Sequence, residues 1–157
     1  MLNSKDKALI YAIKLLTYRP RTQKEISKAL YLKGYSEKKI SDVVNYLIDM
    51  NYLNDINFME SWIYFRQYVS PRGSSFVKQE LLHKGISASY IEEHFDQMFS
   101  QKKEKEYVRK LVSEWIKKKQ EIGFINDKDK NNLINKLYRK GFDYHLVLEI
   151  YNFLETE

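Results

Sequence analysis

One pattern, written three times, constrains this chain more than any other feature. Around Gly34 it reads Ile26-x-x-x-Leu30-x-x-Lys33-Gly34-Tyr35-Ser36-x-x-x-Ile40. Around Gly85 it reads Val77-x-x-x-Leu81-x-x-Lys84-Gly85-Ile86-Ser87-x-x-x-Ile91, and around Gly141 Leu133-x-x-x-Leu137-x-x-Lys140-Gly141-Phe142-Asp143-x-x-x-Val147. The glycines stand 51 and 56 residues apart. Each position has a local cause. Apolar residues four apart share one face of a helix. A lysine in the last turn meets the negative end of the helix dipole. Glycine takes the left-handed conformation that ends the helix, and the next apolar residue covers the stop. Ser36, Ser87 or Asp143 then caps a new helix. The pattern is a helix–turn–helix step.

The second helix of each step repeats its own apolar face: Ile40, Val43, Val44 and Leu47, then Ile91, Phe95 and Met98, then Val147, Ile150, Tyr151 and Leu154. His94 is the one slip in that register. Pro20-Arg21 and Pro71-Arg72 stand at equal offsets in the first two copies, and Thr22-Gln23-Lys24-Glu25 is a capping box. Asp129 stands at the Thr22 offset in the third. A further helix precedes each pair. Ala8 to Leu16 stops before Pro20, Asn54-Asp55 caps a helix that stops before Pro71, and Tyr107 to Ile116 continues to Gly123. The expected fold is all-α, with three tandem three-helix repeats (1–54, 55–100 and 101–157) stacked into an elongated, curved, solenoid-like body.

Composition excludes several alternatives. The 157 residues hold only 5 Gly and 2 Pro, too few turn residues for a β-sandwich. With no Cys there is no disulfide framework, thiolate zinc site or thiol nucleophile. No run of about 18 apolar residues occurs, so no membrane association is expected, and no cleavable leader is evident. A cytoplasmic protein is the expectation. His83, His94 and His145 make no metal-ligand spacing, and the isolated glycines form no phosphate loop. Catalytic residues, metal ligands and cofactors are therefore assigned to none, and an enzyme is not expected.

What remains is a binding protein with a basic bias. Its net charge is +6, distributed as +4 over residues 1–55, −1 over 56–99 and +3 over 100–157. Such a field favours encounter with a polyanion or an acidic groove. Lys33, Lys84 and Lys140 have a structural role at helix ends. Arg19, Arg21 and Arg72 flank the turn between the first and second helices, where a cation meets solvent or a partner. The run Lys117-Lys118-Lys119 closes a stretch, 101–121, with 8 basic and 4 acidic groups. Most of the 13 Tyr, 8 Phe and 2 Trp fall on the repeating apolar faces, which leaves Tyr18, Tyr31, Tyr64 and Tyr138 as surface candidates.

Taken in order, Leu15-Leu16-x-Tyr18-Arg19-Pro20-Arg21-Thr22-x-x-Glu25-Ile26, Leu30-x-x-Lys33-Gly34-Tyr35, Tyr52-Leu53-Asn54-Asp55-x-x-Phe58 and Glu80-Leu81-x-x-Lys84-Gly85-Ile86 resemble the RecX family of regulators of the RecA recombinase. The likeness runs from about Ala8 to Leu154. Met59 departs from it, and the third copy keeps only its Lys140-Gly141 core. The resemblance implies a monomer that lies in the groove of the RecA filament on single-stranded DNA. There it would block growth or promote disassembly, restraining recombinase, ATPase and coprotease activity in repair and the SOS response. The expected partner or DNA contacts are Arg19, Arg21, Lys24, Arg66, Arg72, Lys117, Lys118, Lys119 and Arg139, with nonspecific affinity for single- or double-stranded DNA as an accessory property.

Two other readings stand beside it. Thr22 to Met50 reads like the helix-turn-helix of a winged-helix DNA-binding protein, which would need a β-hairpin after Leu53. A helical scaffold for some other acidic partner is the third.

Overall fold

The computed structural model describes residues 6–156. Among these residues are nine α-helices and no strand: α1 (Lys7–Tyr18), α2 (Gln23–Leu32), α3 (Glu37–Asp49), α4 (Asp55–Tyr64), α5 (Ser74–His83), α6 (Ala88–Met98), α7 (Gln101–Ile122), α8 (Asp127–Arg139) and α9 (Tyr144–Thr156). A π-helical turn, Phe65–Val69, extends α4. It closes with the Ser70 amide donating to the Phe65 carbonyl at 2.9 Å, just before Pro71, which has no N–H to continue the ladder. Leu53 leads directly into α4, so no hairpin wing follows α3. The winged-helix reading loses the element it requires.

Local chemistry sets these boundaries. Asp6 caps α1 by accepting from the Ala8 and Leu9 amides at 3.0 and 3.2 Å. Ser36, Asn54, Ser87, Ser100 and Asp143 cap α3, α4, α6, α7 and α9 in the same manner. The three repeated glycines have φ of +85°, +96° and +86°, and each is followed by an amide that bonds back to the carbonyl of Leu30, Leu81 or Leu137. These are the Schellman stops that the repeat demands. Asp129, at the offset of the Thr22 cap, is a capping-box partner and not itself a cap. The cap of α8 is Asn126, three residues earlier, and Asp129 reaches back to its amide, so α8 begins about one turn ahead of the offset set by Thr22.

The chain packs as two compact units. Of the described residues, the first comprises 6–62 together with Leu81–Tyr90, and the second comprises Ile63–Glu80 and 91–156. In the first, α1, α2 and α3 close around Leu9, Ala12, Ile26, Leu30, Val43 and Leu47. In the second, α7, α8 and α9 close around Val108, Val112, Ile134, Leu137, Phe142, Val147 and Tyr151. The anticipated face of α3 is buried, and that of α9 is buried at Val147, Ile150 and Tyr151 and half-buried at Leu154; on α6 Met98 is likewise half-buried, and Phe99, just past its end, is buried. Each fully buried aliphatic side chain contributes about 1.5–3 kcal/mol. The helices of the middle triplet are divided between the two units.

Candidate partner-binding site

In the first unit the basic residues surround the start of α2. Thr22, wholly buried, accepts from the Glu25 amide at 3.2 Å and donates its own hydroxyl proton to the Lys84 carbonyl. Arg19 forks onto Glu25 at 3.1 and 3.2 Å and also donates to the Pro20 carbonyl. Lys84 approaches the same carboxylate at 3.4 Å, with its ammonium 4.2 Å from the Trp62 ring centre. Burial alone would raise the Glu25 pKa, but the hydrogen bonds from Arg19 and the Thr22 amide, with the charge of Lys84, hold it below its ordinary value. The carboxylate thus stays ionised and fixes both cations. Arg21 donates from Nε to the Leu15 carbonyl at 3.2 Å, tying the end of α1 to the turn. Lys24 is exposed and lays its stem over Gly85, where a Cβ would collide with it.

In the second unit the equivalent place is the start of α5. Here Gly73 replaces the threonine, and its amide donates to the Lys140 carbonyl at 2.9 Å. The Ser74 amide donates to Glu104 at 2.8 Å, as the Gln23 amide donates to Asp55 at 3.0 Å in the first unit. Burial raises the pKa of both carboxylic acids, against the amide bonds that favour their charged forms. Arg66 and Arg72 lie over the Phe76 ring at 5.8 and 5.7 Å. Arg66 is largely buried, paired with Glu80 and bonded to Ser70, so it braces the π-turn. Arg72, half-buried, donates to the Pro71 carbonyl.

The remaining candidates are dispersed along α7 and α8. Lys117 and Lys118 are exposed, while Lys119 turns inward to Asp129 at 2.8 Å and lowers that carboxyl's pKa. Arg139 is exposed and returns to the Asn135 carbonyl at 3.3 Å. The structure therefore gathers Arg19, Arg21 and Lys24 at one helix start, Arg66 and Arg72 at another, and Lys117 to Lys119 at the end of α7. Sequence reasoning missed Phe76 as a guanidinium platform and Asp55 and Glu104 as acceptors for helix-start amides. A signal for the acceptors was weak, because they stand 21 residues beyond Gly34 and 19 beyond Gly85, at no common offset. Among the described residues no group of three or more His, Asp or Glu is placed to hold a metal, and no helix is long and apolar enough to cross a membrane.

This arrangement is shared with known proteins. Residues 8–47 match the model of the RecX first three-helix domain. The crystal structure of RecX from Lactobacillus salivarius superposes with a TM-score of 0.83 at 26% identity, over 96% of each chain. The chain belongs to the RecX family. Curated relatives are named regulatory protein RecX. That of Oceanobacillus iheyensis is 28% identical over 99% of this chain and 57% of its own length, and that of a Mycobacterium species is 25% identical over 94% and 81%. This chain thus spans little more than half of the Oceanobacillus protein and four-fifths of the mycobacterial one.

Proposed function

We propose that this chain binds the RecA filament on single-stranded DNA, in its groove, and inhibits recombinase, ATPase and coprotease activity by blocking growth or promoting disassembly. The observation that carries the reading is the match in sequence and fold to RecX across 96% of the chain. The triplets 1–54, 55–100 and 101–157 act as three repeats of one docking element, in a cytoplasmic monomer. Arg19, Arg21 and Lys24, then Arg72 beside the braced Arg66, then Lys117 to Lys119 and Arg139, supply the contacts with acidic protein surface or phosphates. Multiple modest contacts on one chain gain by effective concentration, and the steering they provide weakens as salt rises. Nonspecific DNA affinity follows from the same cations.

The test is charge reversal. Arg19→Glu combined with Arg72→Glu is expected to keep the helical circular-dichroism signal and lose inhibition of RecA-dependent ATP hydrolysis. Full inhibition by that variant would remove both residues from the interface.

A further inference from the structure

The Lys-Gly turn has a tertiary use that the two compact units show independently. In the first unit the turn Lys84-Gly85 sits on the start of α2: its carbonyl accepts from Thr22, its ammonium pairs with Glu25 in the first helical turn, and Gly85 leaves room for the Lys24 stem. In the second unit the turn Lys140-Gly141 sits on the start of α5: its carbonyl accepts from the Gly73 amide, and Gly141 leaves room for Phe76. Both contacts set the negative end of one helix against the positive end of another. Both need the glycine for close approach as well as for its positive φ.

The turn Lys33-Gly34, the first in the chain, is the remaining copy, with a closely similar dihedral and the same Schellman bonds. Nothing lies within 4 Å of the place where a Cβ on Gly34 would stand. Tyr31 and Leu32 beside it are 65% and 73% exposed, large apolar groups left in solvent at the rim of the turn. Lys33 is exposed, with its ammonium 5.1 Å from the Tyr11 ring centre.

We propose that the Lys33-Gly34 turn is a docking end that seats the N-terminus of a helix on the regulated protein, with a hydroxyl or amide donor at its cap and an acid in its first turn. In a second copy of this chain the two helix starts that take such a turn here are occupied. The starts of α2 and α5 are already filled by Lys84 and Lys140, and α8 is closed by its own Asn126–Asp129 box, with Asp129 held by Lys119. The site rests on the regulator reading above and deepens it by naming one contact and its chemistry.

The experiment uses the full chain and preformed RecA filaments on single-stranded DNA, with inhibition of ATP hydrolysis as the readout. Lys33→Glu reverses the cation without touching the core. Gly34→Asn fills the open space with the residue that best tolerates a left-handed backbone. Each is expected to raise the half-inhibitory concentration at least about tenfold, as expected for loss of a central contact. Affinity for bare single-stranded DNA should stay unchanged, and Lys136→Glu, an exposed reversal elsewhere, should behave as the parent. Should Gly34→Asn fail to fold, Lys33→Glu decides alone. Inhibition by Lys33→Glu at the parent's concentration overturns the docking end and leaves the regulator reading standing. An equal loss of affinity for bare DNA also overturns it, by assigning the turn to phosphate. A parent chain that leaves RecA unaffected brings down the regulator reading itself.

Discussion

The start of α2 and the start of α5 occupy the same place in the repeat and are built from different atoms. At the first, a threonine hydroxyl reaches the Lys84 carbonyl, and the stem of Lys24 covers Gly85. At the second, the backbone amide of Gly73 reaches the Lys140 carbonyl directly, and Phe76 covers Gly141. Removing the side chain at the cap brings the two backbones closer by one hydroxyl group, so a Cβ on Gly73 would overlap Gly141. The seat is preserved because both versions satisfy a helix-start donor with a helix-end acceptor, and unpaired groups of that kind are costly when buried.

The comparison breaks most sharply at glycine. Gly73→Ala forces backbone against backbone in the second unit and is expected to cost about 4 kcal/mol or more, the range of severe overpacking. Gly34→Ala, with open space around it, should cost only the left-handed strain of about 1 kcal/mol. Chemical denaturation of the two variants measures the difference, and equal losses would refute the close approach. Next in size is Thr22→Ala. It removes a cap and leaves the Lys84 carbonyl unpaired, for an expected loss of about 1–2 kcal/mol by the same measurement.

The smallest effect concerns the carboxylates that receive the helix-start amides. Burial raises the Glu104 pKa in the folded chain, with Asp143 adding to the rise and the bonds from Ser74 opposing it. The folded state therefore holds a proton that the unfolded state releases near its ordinary value of 4.5. Stability falls as pH rises from there through the folded pKa, and the cost is complete above it. Glu25 has the opposite sign: its lowered pKa adds stability above the ordinary value, which is lost as pH falls through the folded one. Glu104→Gln keeps an acceptor for the Ser74 amide and should be more stable than the parent at pH 7 but indistinguishable near pH 4. A thermal-melt series across that range shows whether the two curves diverge as expected.

Much of the fold was legible because its boundaries are local. Thr22, Ser36, Asn54, Ser87 and Asp143 cap helices where the sequence places them, and Gly34, Gly85 and Gly141 end them. Asn126 was missed because a residue three positions downstream, Asp129, matched the repeat offset and masked the earlier start. The candidate site was legible in part. Arg19 and Arg72 do stand at the turns between first and second helices, but nothing in their spacing shows that Glu25 holds one and Phe76 supports the other. Arg66 stands among the expected contacts in the sequence and is a largely buried brace in the structure.

The sequence by itself determined three helix–turn–helix steps, because periodicity, caps and left-handed glycines act within a few residues of one another. Only the tertiary structure decided which helix start each Lys-Gly turn seats upon. Those seats are made by the carbonyls of Lys84 and Lys140 and the amide of Gly73, groups that almost any residue carries, and by Asp55 and Glu104 at unequal offsets. A backbone atom leaves no mark in a sequence. Its partner is chosen by packing.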